Sequence, residues 1–134
     1  MFKTNKRIVS TALAVFVLFA STMFGSSAAM AGGEKFVLIS HAPDSDSWWN
    51  TIKNAIGIAG EQMGVTVDYR NPTTGDLADM ARIVQQAAAS NPDGIIVTIA
   101  DYDVLKGPIT DAIAKGIPVV TINSGTREQS EMLG

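Results

Sequence analysis

The chain has 134 residues, with ten basic and 13 acidic side chains and a formal charge of −3 at pH 7. With no basic stripe to neutralise phosphates, nucleic acid is not an expected partner. No cysteine occurs, which excludes disulfides, thiolate metal sites, a cysteine nucleophile and a lipidated N-terminal cysteine.

The first 31 residues read as an export signal. Lys3, Lys6 and Arg7 precede an apolar run from Ile8 to Phe24, and Ala29-Met30-Ala31 forms a small-x-small cleavage site. The run has 17 residues and carries four hydroxyls, too short and too polar for a membrane span. Cleavage after Ala31 leaves seven basic residues against 13 acidic ones and points to the periplasm. The remainder, residues 32–134, suits one small α/β domain.

Phe36 to Ser40 is a continuous apolar run, expected as a strand buried on both faces. A polar loop, Pro43-Asp44-Ser45-Asp46, leads to Ser47, expected as the N-cap of a helix, and to Trp48 and Trp49, the only tryptophans of the chain. Neighbouring helical side chains point about 100° apart, so one indole is buried and the other faces the loop mouth. Trp49 opens an expected buried stripe with Ile52, Ile56, Ala59 and Met63. Gly57 and Gly60 suggest close helix packing, and Gly64 a left-handed stop.

Val65 to Tyr69 is expected as a second strand, followed by the turn-rich Asn71-Pro72-Thr73-Thr74-Gly75. Asp76 caps a helix with Leu77, Met80, Ala81, Val84, Ala87 and Ala88 on one face. Ile95 to Ile99 makes a third strand, Leu105 to Ile113 a third helix ending at Gly116, and Ile117 to Ile122 a fourth strand. From Glu128 to Gly134 the chain reads as a polar connection. Strands alternating with helices imply right-handed βαβ units and a parallel sheet with helices on both faces, in a flavodoxin-like arrangement that lacks closing elements.

Ligands of such sheets bind outside the carboxyl ends of the strands. The loops there hold Asp44, Asp46, Ser47, Arg70, Asn71, Thr98, Asp101, Asp103, Asn123, Ser124 and Arg127. Carboxylates, amides and an Arg70 or Arg127 fork match hydroxyls, while Trp48 offers a flat face for a sugar ring. Helix capping and turn formation are the alternative roles for Asp44, Asp76 and Asp103, and helix packing is the alternative for both indoles. Adjacent strand residues point apart, so Ser40-His41 is no nucleophile pair. Asp101 and Asp103 lack a third metal ligand at a recognisable spacing.

The segments DSWWNTIKNA, GDLADMARIVQQAAASNPDGIIV and AIAKGIPVVTINSG together resemble the type I periplasmic sugar-binding proteins of ABC transporters, relatives of the ribose- and galactose-binding proteins and of LacI-type ligand domains. The resemblance runs from Lys35 to Arg127. It implies the N-terminal lobe of a two-lobed periplasmic binding protein, with the second lobe absent. It further implies no catalysis, no cofactor, a sugar or polyol ligand, a membrane permease as partner, and a monomer when full length. Asp46 falls where relatives have a sugar-contacting Asn, Trp48 and Trp49 where aromatics line the sugar ring, Thr98 where an Asn binds hydroxyls, and Asn123 where an Asp is usual. Asp101, Ser47 and Ser124 share that rim. A longer first loop, Thr98 for Asn and Asn123 for Asp leave the sugar unidentified. The rival expectation is a complete flavodoxin-like domain with a nucleotide-binding or enzymatic role.

Overall fold

Side chains alternate across a strand, so in Phe36-Val37-Leu38-Ile39 the even and odd positions need separate covers. The computed structural model of the protein describes residues 32–134, and the export signal lies outside those residues. It has four strands, β1 (Lys35–Ile39), β2 (Thr66–Arg70), β3 (Gly94–Val97) and β4 (Val119–Thr121), alternating with four helices, α1 (Ser47–Met63), α2 (Leu77–Ala89), α3 (Tyr102–Ala114) and α4 (Arg127–Leu133). The strands form one parallel sheet in the order β2-β1-β3-β4.

Val37 and Ile39, with Ile95 and Val97, face a core closed by Met80 and Val84 of α2, Leu105 and Ile109 of α3, and Leu133 of α4. Leu38 faces the other way, toward Trp49, Ile52 and Ile56 of α1, with Val67, Tyr69, Ile96 and Ile122 beside them. Helices thus lie on both faces, as the continuous apolar strands require. Among the described residues, no helix is long and apolar enough to cross a membrane.

Four local expectations are corrected. Asp46, not Ser47, caps α1: its extended backbone lets Oδ1 accept from the Trp49 N–H at 3.0 Å, and its charge complements the positive helix end. The buried line of α1 runs from Trp49 through Ile52 and Ile56 to Gly60. Ala59 and Met63 fall outside it because the helix turns Gly60 onto the Val65 carbonyl, where a Cβ would stand at 2.9 Å. Gly57, by contrast, meets only open space. The fourth strand is confined to Val119–Thr121, since Pro118 has no N–H and joins the sheet only as acceptor from Ile95. Finally, the polar tail is helical. Thr126 and Gln129 form a reciprocal capping box, and Leu133 reaches the core. The Gly64 stop and the Asp76 cap are as expected.

Candidate functional site

The sheet ladder runs one rung beyond β1, β3 and β4. Ser40 N–H donates to the Arg70 carbonyl, Thr98 N–H to that of Ile39, and Ile122 N–H to that of Val97. Because all strands are parallel, the loops that follow lie along one edge. The β1-to-β2 crossover leads one way along the sheet and β2-to-β3 the other, so the order reverses between β1 and β3, where open α/β sheets hold ligands.

At this reversal stand the two tryptophans. Trp49 is 4% exposed and Trp48 54% exposed, as the helical phase predicts. Their rings meet edge to face, with centroids 5.0 Å apart, so the buried indole props the exposed one. Asp46 spends Oδ1 on the cap, and among the described residues its other oxygen has no partner. Asp101 does the same for α3, accepting from the Val104 N–H at 3.1 Å. Ser47 is exposed beside Trp48.

The loops are tied to one another. Asn71, after β2, donates from Nδ2 to the Ala42 carbonyl and to Asp44 Oδ1, each at 2.9 Å. Asn50 donates to the Asp44 carbonyl, and the Asp44 N–H donates to the Thr73 carbonyl. Asp44 is therefore a turn residue held between two loops. Farther along, Ile99 N–H donates to the Ser124 carbonyl, and a Cβ on Gly125 would lie 2.8 Å from Ile99 Cβ. Asn123 adopts a left-handed backbone, is exposed, and accepts from the Ser124 hydroxyl.

Thr98 is fully buried, and its hydroxyl bonds His41 Nδ1 at 3.0 Å. Ser40 is buried too and bonds the Tyr69 hydroxyl at 2.6 Å. Burial pushes the Tyr69 pKa up. The Ser40 hydrogen bond opposes this, while the charges of Asp46 and Asp44 add to it. Both arginines expected at the ligand are engaged elsewhere, Arg70 with Asp68 and Arg127 with Glu131. Asp103 pairs with Lys106 in the first turn of α3. Among the described residues, no three His, Asp or Glu side chains gather as metal ligands would.

The sequence places Asp46, Ser47, Trp48 and Trp49 after β1, Thr98 and Asp101 after β3, and Asn123 and Ser124 after β4, and the fold brings all three groups to one edge. Sequence reasoning weighed His41 only as a partner for Ser40 and left Tyr69 a strand residue. The overlooked signal is that Ser40 and Thr98, polar residues ending buried strands, each need a partner.

A groove of about 610 Å³ beside β2 is lined by Lys35, Phe36, Val67, Asp68 and Asn91. Its polar groups are partly spent, Asp68 on Arg70 and Asp93 on the Lys35 N–H, and the paired loops after β1 and β3 lie elsewhere.

Solved structures share this arrangement. A carbohydrate transporter from Acidothermus cellulolyticus 11B, in complex with myo-inositol, is 33% identical with a TM-score of 0.70, over 76% of this chain and 35% of its own. GanP, a glucose-galactose binding protein from Geobacillus stearothermophilus, is 27% identical with a TM-score of 0.66, over 72% and 34%. AraP, an arabinose binding protein from the same organism, is 28% identical with a TM-score of 0.62, over 69% and 31%. The chain spans about a third of the length of each of these structures. No curated protein gives a match. Residues 36–133, nearly everything the structure describes, match the periplasmic binding protein domain, and the chain belongs to that family.

Proposed function

We propose that the chain is the sugar-binding lobe of an ABC transporter's substrate-binding protein, which takes a small sugar or polyol at the carboxyl edge of its sheet and delivers it to a membrane permease. The observation that carries this reading is Trp48, a half-exposed aromatic plate propped by Trp49 at the point where the sheet order reverses. A pyranose or cyclitol ring lays its C–H face on such a plate, while Asp46, Ser47, Asp101, Asn123 and Ser124 meet its hydroxyls. Three similar proteins, described with myo-inositol, glucose and galactose, or arabinose, support that ligand class. Binding without turnover belongs to this reading: the rim offers hydrogen-bonding and stacking groups, and the hydroxyl set against the His41 imidazole, that of Thr98, is fully buried. In this reading residues 1–31 direct export to the periplasm and are removed. The lobe works with a second one that closes over the ligand, as a monomer and without nucleic acid.

A thermal-shift panel of pentoses, hexoses and cyclitols, myo-inositol among them, tests the reading, because a ligand held only by the native state raises the melting temperature by mass action. A rise with one or a few of these compounds is expected. A rise with nucleotides alone would replace it with the flavodoxin-like reading.

A further inference from the structure

We propose that His41 is a ligand-contacting residue of this rim, its imidazole aimed by the buried hydroxyl of Thr98. The inference rests on the sugar-binding reading above and assigns a contact to a residue that reading does not use. Thr98 is 0% exposed, so its hydroxyl bonds the His41 ring and does not itself meet a ligand. The ring is fixed on two sides. Nδ1 lies 3.0 Å from Thr98 Oγ1, and one ring edge meets Trp49 at a centroid distance of 5.9 Å and an interplanar angle of 81°.

His41 is only half-buried; Nε2 has no partner among the described residues and is not among the buried unpaired atoms. A fixed imidazole thus presents its second nitrogen outward between the ends of β1 and β3, next to the indole pair. Whichever nitrogen carries the proton, Nε2 can donate to or accept from a hydroxyl, because a hydroxyl does both. This suits one sugar or cyclitol hydroxyl, held at a distance from Trp48 that a rigid frame sets.

His41 is the only histidine of the chain, so its ring nitrogens give unique signals in a nitrogen-15 spectrum of untagged protein. Saturating myo-inositol, galactose or arabinose, whichever the wild type binds, is expected to shift Nε2 more than Nδ1. By titration calorimetry, His41→Ala is expected to weaken binding about tenfold or more, the loss of one hydrogen bond. Thr98→Val, which keeps the shape and removes the hydroxyl, is expected to weaken it nearly as much, and the double variant no further than His41→Ala. An unmoved Nε2 signal at saturation overturns the proposal without any variant having to fold, and so do independent, multiplying losses in the two variants. A wild type that binds none of the three while its thermal-shift panel is also flat overturns the sugar-binding reading, and this contact with it.

Discussion

Trp48 and Trp49 are neighbours in sequence with opposite roles in the fold. Trp49 closes the core between α1 and the sheet, so Trp49→Ala is expected to cost about 3–5 kcal/mol of stability, read as a fall in melting temperature. Trp48 contributes little to the core, so Trp48→Ala is expected to spare the melting temperature and to weaken sugar binding by tenfold or more in calorimetric titration. Equal affinity losses at unchanged melting temperature would place both rings on the ligand. Tyr69 gives a test by pH. Its folded-state pKa is raised, so the stability linked to its proton is complete below the unfolded value near 10 and is lost as pH rises through the folded value. Wild type is therefore expected to lose melting temperature between about pH 9 and 11 more steeply than Tyr69→Phe, which has no proton to lose at that position.

At the scale of elements, the strands and the first three helices were legible because each has either a continuous apolar run or apolar residues every three to four positions. The last helix was not. Arg127-Glu128-Gln129-Ser130-Glu131 offers no apolar repeat, and only Met132 and Leu133 hint at a buried end. What fixes α4 is Thr126 and Gln129, a capping box that the sequence displays but that no hydrophobic stripe announced. Thr126→Ala is expected to destabilise α4 by about 1 kcal/mol, seen as faster amide exchange from Glu128 to Leu133 with little change in α2 or α3. The candidate site divides the same way. The edge where its loops gather followed from the strand order, and the phase of the indoles from helix geometry. The bonds of His41 to Thr98 and of Tyr69 to Ser40 join residues 57 and 29 positions apart, pairings that no local pattern records.

For the whole molecule, the register sets Tyr69, Leu38, Ile96 and Val120 in one row across the sheet. The α1 side chains cover the Tyr69 and Leu38 end of that row, while Val120 is 57% exposed at the other. The two outer edges also differ. β2 carries the Asp68–Arg70 ion pair, a charged edge that discourages pairing, whereas β4 is Val-Val-Thr. The 134-residue chain is expected to self-associate with rising concentration through the β4 side. In sedimentation velocity, Val120→Lys should shift it toward monomer, and an unchanged distribution would assign any association to another surface.

The Asn71 clamp has a consequence in time. Asn71 ties the loop before α1, at Ala42 and Asp44, to the end of β2, so on the sugar-binding reading the tryptophan platform is already in place when a ligand arrives. Encounter with a ready platform is governed by diffusion and orientation, and rival sugars then differ chiefly in how long they stay. Trp48 is exposed enough to report each arrival by its fluorescence. In stopped-flow traces, the arrival rate constant should be nearly the same for every sugar bound, and the spread of affinities should reside in the departure rates.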